Sequence, residues 1–105
     1  MAESEARFGV GQLVHHRLFG YRGAVVDVDA RFEGSEEWYQ QVARSRPPRD
    51  RPWYHVLPHH AQHTTYVAER NLEPDELLEP IEHPMLAHFF DGFRDGRYVT
   101  DRRAN

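Results

Sequence analysis

The sequence predicts a mainly β domain: a small, strongly bent barrel of short strands with a short helical insertion and a C-terminal helix. Three observations carry this. The chain has 105 residues, the length of one domain, and folding a domain of this size removes roughly 65% of the surface its unfolded chain exposes. Its composition, 39% hydrophobic and 12% aromatic, is too rich in core formers for a disordered segment. Most of its apolar residues fall at period two or in short β-branched and aromatic runs, and helical spacing takes over in only two places.

Residues 1–7 are acidic and polar and are expected to form a disordered leader. Strands are expected over 10–17 and 23–29. In the second, Ala24, Val26 and Val28 alternate with Val25, Asp27 and Asp29, the pattern of a half-buried strand. Gly20 and Gly23 supply the permissive backbone that a hairpin between them needs. Ser35 then reads as an N-cap, with Glu36 and Glu37 where a helix dipole favours negative charge. Trp38 and Val42 would share one face of that helix, which must stop by Arg46 because Pro47 and Pro48 cannot continue it.

The runs 53–57 and 64–68 are aromatic and β-branched, and predict two more strands, joined by a histidine-rich loop over 58–63. A second helix is expected over 84–91, since Pro84 suits a first helical position and Leu86, Phe89, Phe90 and Phe93 follow at helical spacing. From Asp95 the chain is polar and is expected to fray. An SH3-like barrel fits this order best, although the pattern alone also allows an OB-like one.

Several function classes are excluded or weakened at once. With no cysteine, the chain has no disulfide, thiolate metal site or thiol nucleophile. The first residues lack the basic and apolar regions of a signal peptide, and no apolar run approaches the ~20 residues of a transmembrane helix. A cytoplasmic protein is expected, with no membrane partner. Thirteen basic residues, every one an arginine, face seventeen acidic ones for a net charge of -4. That balance opposes non-specific nucleic-acid binding, so any DNA contact must come from a local patch.

The blocks Phe8-Gly9-Val10-Gly11-Gln12-Leu13-Val14-His15-His16, Leu18-Phe19-Gly20-Tyr21-Arg22-Gly23 and Val25-Val26-Asp27-Val28-Asp29 carry a family resemblance. So do Glu36-Glu37-Trp38-Tyr39, Pro52-Trp53-Tyr54-His55-Val56-Leu57, and Tyr66-Val67-Ala68-Glu69 with Asn71-Leu72. In this order and spacing they resemble the heat shock protein HspQ family, also called the YccV-like hemimethylated-DNA-binding family. The likeness runs over roughly residues 7–98, with the domain itself expected over 8–98 and a frayed tail over 99–105. It implies an SH3-like barrel, a homo-oligomer (a trimer), and a stress-induced protein that prefers hemimethylated DNA. As an alternative it implies an adaptor that promotes degradation of client proteins by the Lon protease. No serine or threonine sits in a nucleophile-like context, so no enzymatic activity and no cofactor are expected.

Candidate contact residues follow from chemistry. Arg44, Arg46, Arg49 and Arg51 lie on one proline-stiffened loop, and arginine can grip phosphates through paired donors or read guanine in the major groove. Equally, they could pair with the excess of carboxylates. Arg17 and Arg22 flank the first hairpin. An N6-methyl group lies in the major groove, and sensing it takes an apolar surface, which Phe19, Tyr21 or Trp53 could supply if they are not core. His59, His60 and His63 crowd one loop but lack the converging geometry of a metal site. Asp27 and Asp29 could hold Mg²⁺ or act as acid and base, yet a strand-end role suffices for them. The Leu86–Phe93 stripe packs on the barrel or serves a client or neighbouring subunit.

Overall fold

Period-two alternation sorts the side chains of the first strands onto two faces, and both faces are covered. In the computed structural model, which describes residues 5–100, β1 (Leu13–His16) and β2 (Arg22–Asp29) pair antiparallel with Leu13 opposite Ala24. Val14 and Val25 point to one cluster, joined there by Phe8, Tyr54, Val56 and Leu72. Leu13 and Ala24 point to another, with Leu57, Ile81, Phe90 and Tyr98. A register shift between Val25 and Asp27 lets β2 bend around the first cluster.

The remaining strands complete the wall. β3 (Trp53–Pro58) pairs with β2, and β4 (Thr65–Ala68) pairs with β3. A 3-10 turn (Glu69–Asn71) leads into β5 (Leu72–Pro74), which returns to β1. The sheet order is β4-β3-β2-β1-β5, all antiparallel. These short strands form a mainly β, antiparallel meander in which the 3-10 turn returns the chain from β4 to the far side of β1. β5 escapes sequence reading because its three residues are too few to display a period.

The insertion helix α1 (Glu36–Val42) is capped as expected, with Ser35 Oγ accepting from the Trp38 N–H at 3.0 Å. Its buried face differs from the expected one. Tyr39 and Ala43 point inward against Trp53 and Ala68, while Val42 is exposed and Trp38 is half-buried. The Tyr39 hydroxyl reaches the Pro47 carbonyl at 2.7 Å, and this bond selects the face that the i, i+4 pattern left open.

The C-terminal segment departs most from expectation. α2 is a single turn (Leu86–Phe89), and Phe90 already has extended backbone. Beyond it lies a hairpin of β6 (Gly92–Arg94) and β7 (Arg97–Val99), with Tyr98 buried, in place of a fraying tail. Asp95 and Gly96 both adopt positive φ and make its turn. The hairpin docks where Gly11 (φ +92) lets the backbones meet, the Tyr98 N–H donating to the Gly11 carbonyl at 2.8 Å. The first part of the expected leader and the end of the expected tail lie outside the described residues. Among the described residues no helix is long and apolar enough to cross a membrane.

Candidate nucleic-acid interface

The β1–β2 turn is shaped by a histidine. His16 is buried, and its Nδ1 accepts from the N–H groups of Leu18 at 3.1 Å and Phe19 at 3.0 Å. Burial and the neighbouring His15 lower its pKa, as an acceptor role requires, because a protonated Nδ1 could only donate. The imidazole also stacks on Phe19, with centroids 4.6 Å apart and 19° between planes, and lies 5.0 Å from the Tyr21 ring. The result is a turn that holds Phe19 78% exposed and Leu18 60% exposed. All other aromatic residues of the chain are buried or half-buried.

The three aromatics considered for methyl sensing are therefore placed very differently. Phe19 is presented to solvent. Tyr21 is half-buried, with its hydroxyl 2.8 Å from Thr65 Oγ1, and burial raises its pKa. Trp53 is 1% exposed and its indole N–H donates to the Pro48 carbonyl at 3.1 Å, so it belongs to the core and cannot touch a groove.

Hydrogen bonds connect the 3-10 turn both to the end of β1 and to the arginine-rich loop. The Arg17 N–H donates to the Asn71 carbonyl at 2.8 Å. Asn71 Nδ2 donates to Ser45 Oγ at 3.4 Å, and the Arg70 guanidinium to the Ser45 carbonyl. Arg17 is thus linked to the loop that holds Arg44 and Arg46. Arg46 donates to Gln40 Oε1 and, like Arg70, meets a neutral acceptor there, while Arg44 and Arg17 are exposed. Glu69 in the same turn is occupied by the Tyr54 hydroxyl at 2.6 Å and the Arg7 N–H at 2.9 Å.

Other candidates are engaged elsewhere. Arg49 grips Glu36 with both terminal nitrogens, at 2.6 and 2.9 Å, and its guanidinium lies 3.7 Å from the Tyr39 ring centroid. Those bonds, followed by one from Gln40, pull the Glu36 carboxyl down to about 2. Arg22 is tied to the buried Asp75 at 2.9 Å and to the Glu79 carbonyl, locking β2 to the segment after β5. Arg51 is exposed. Sequence reading did not nominate Arg70. Its block carried the family resemblance, but a three-residue 3-10 turn offers no period from which to infer its neighbours.

The histidine loop is held by short-range bonds. His59 Nδ1 accepts from the Glu82 N–H at 2.8 Å and His60 pairs with the Glu82 carboxylate at 2.9 Å. Among the described residues the metal-type ligands that do converge are Asp27, Asp29 and His55, with their atoms within 4.8 Å of one another. Asp29 Oδ2 already accepts from the Tyr66 hydroxyl at 2.7 Å and His55 Nε2 at 3.1 Å, and Asp27 Oδ1 from the Val28 N–H at 2.9 Å. One oxygen of each carboxylate is thus engaged within the protein. The family model of hemimethylated DNA-binding proteins like YccV matches residues 6–97.

Proposed function

The chain belongs to the YccV-like hemimethylated-DNA-binding family, and from that membership we propose that it binds hemimethylated DNA through the β1–β2 turn and the arginines around the 3-10 turn. The observation that supports this reading most is an exposed Phe19 with an exposed Arg17 two residues earlier, whose backbone is hydrogen-bonded to the turn that holds Arg70 and, through Asn71, to the loop of Arg44 and Arg46. Phosphate contacts position a protein and groove contacts specify the sequence. The arginines suit the first task. Phe19, an apolar ring on a stiff turn, suits the second, since contact with a methyl group in the major groove is an apolar contact.

This division revises the weight given to each arginine. Arg49 would have to abandon a two-bond ion pair to reach DNA, and Arg22 a half-buried one, whereas Arg17 and Arg44 would give up nothing comparable. The adaptor reading for Lon looked for an exposed groove along the C-terminal helix. That stripe is largely drawn into the barrel, with Phe90 buried and Leu86, Phe89 and Phe93 half-buried, so DNA binding is the reading we favour.

Salt titration of duplex binding tests it. Each phosphate neutralised contributes ~0.9 to the slope of log affinity against log salt. Arg17→Ala with Arg44→Ala should flatten the slope by roughly 1.8 and weaken all duplexes alike, while Arg49→Ala leaves it unchanged. A double variant that keeps the parent's affinity and slope would remove this surface from consideration.

A further inference from the structure

Beside α1 lies a second surface of opposite character. An open cavity of about 280 Å³ is lined by Asp29, Glu33, Gly34, Ser35, Trp38, His55 and Tyr66. Trp38 and Tyr66 meet there as two walls, with ring centroids 5.8 Å apart and planes at 62°. Both rings are half-buried, backed by Phe32 and Trp53. The Tyr66 ring is fixed in place. Its hydroxyl donates to Asp29 Oδ2 at 2.7 Å and accepts from the Glu33 N–H at 3.0 Å. Burial first, and then the bond to Asp29, push the Tyr66 pKa up, so the phenol stays neutral and keeps donating.

We propose that this cavity is an aromatic cage for the methylated ammonium group of a lysine side chain on a partner protein. The half-buried Trp38 and Tyr66 rings carry negative charge on their faces, and a cation set against such a face is attracted most strongly when it sheds water. Asp29 and Glu33 add negative charge at the wall and the rim, and the Glu33 carboxylate makes no ion pair or hydrogen bond among the described residues. An anionic phosphate backbone is repelled here, so the site is distinct from the DNA surface.

The choice of methylated lysine follows from what the cavity lacks. An unmodified ammonium needs several acceptors to replace its water, whereas the lining is mostly apolar surface, with Asp29 Oδ2 already committed to Tyr66 and His55 and the Glu33 carboxylate as the charged acceptor left without a bond among the described residues. Methylation spreads the charge over a larger, poorly hydrated head that suits ring faces instead. The cavity is open to solvent and below the ~300–1,000 Å³ of clefts that enclose a free small molecule. A cation in it is better held by a stem and backbone lying outside. This chain contains no lysine, so a second copy of it cannot supply the group.

The test is an NMR titration of the full chain, following the Trp38 indole N–H. The probes are N-acetyl-trimethyllysine amide, the unmethylated lysine and arginine counterparts, and choline. Saturable movement of the Trp38 signal is expected with trimethyllysine, with unmodified lysine and arginine at least ~10-fold weaker and choline weaker too. Glu33→Gln, at an exposed position, should weaken trimethyllysine several-fold while leaving the rest of the spectrum and DNA binding intact. Trp38→Ala should abolish binding; because Trp38 packs on Phe32, its fold must be checked, and the parent and Glu33→Gln titrations decide without it. No response to trimethyllysine, equal binding of unmodified lysine or arginine, or an unaffected Glu33→Gln would overturn the cage. Choline binding as tightly as trimethyllysine would overturn the assignment to a protein side chain.

Discussion

Replacing His16 by phenylalanine should keep the stacking at the β1–β2 turn and remove the ring acceptor, Nδ1. The side chain serves two backbone donors, Leu18 N–H at 3.1 Å and Phe19 N–H at 3.0 Å, beneath a ring that is itself buried. Leaving a buried donor without a partner costs ~1–3 kcal/mol. Leu18 and Phe19 are themselves exposed, so His16→Phe should lose about 1–3 kcal/mol in total rather than that amount twice. His16→Asn, whose Oδ1 can stand near the position of Nδ1 without titrating, should recover part of it.

The pH dependence gives the sharper discrimination. In the folded state the His16 pKa is lowered from 6.5 by burial and by His15, so between that lowered value and 6.5 the unfolded chain binds the extra proton. Stability from this group is complete above 6.5 and is lost as pH falls through the folded value. Urea unfolding of parent and variant at several pH values reads this directly. The gap between parent and His16→Phe should be widest above pH 6.5 and narrow in acid. A gap that is absent at pH 7.5, or that grows as pH falls, would refute the role assigned to Nδ1.

Gly11→Ala would place a Cβ 2.1 Å from the Tyr98 carbonyl oxygen at a φ of +92, so the C-terminal hairpin should undock. The expected loss is ~3–5 kcal/mol, that of an unfilled aromatic site, seen in urea unfolding and in the near-UV circular dichroism of Tyr98. Self-association is expected to use aliphatic rather than aromatic surface. Apart from Phe19 the rings are at least half-covered, whereas Leu77 and Leu78 are 56% and 54% exposed. Light scattering should report an oligomer, a trimer if the family resemblance carries over, that Leu77→Glu with Leu78→Glu converts to monomer.

What could be read from the sequence was what local chemistry dictates. Alternation at Ala24 and Val26, the Ser35 cap and the Pro47-Pro48 stop each act within a few residues and appear where expected, whereas the bulge between Val25 and Asp27 sends Val28 to the cluster of Val25 instead. Long-range choices were not legible. Tyr39 and not Trp38 turns inward because of Pro47 and Trp53, and the polar 95–100 segment folds because Tyr98 fits between Gly11 and Phe90. The candidate site was legible as a set of arginines but not as an arrangement. Arg17 and Arg44 are far apart in sequence, and bonds from Arg17 to Asn71 and from Asn71 and Arg70 to Ser45 connect their segments. Arg49, alike in sequence to its neighbours, is committed to Glu36, a partner thirteen residues away.

The central claim, recognition of hemimethylated DNA by the Phe19 turn, is tested most directly by titrating parent and Phe19→Ala with unmethylated, hemimethylated and fully methylated duplexes at two salt concentrations. The parent should bind the hemimethylated duplex most tightly at both, with the same ratio over the other duplexes, because an apolar contact is insensitive to salt. Phe19→Ala should keep the parent's salt slope and lose the preference. Equal affinity of the parent for all three duplexes, or an unchanged preference in Phe19→Ala, would contradict the account.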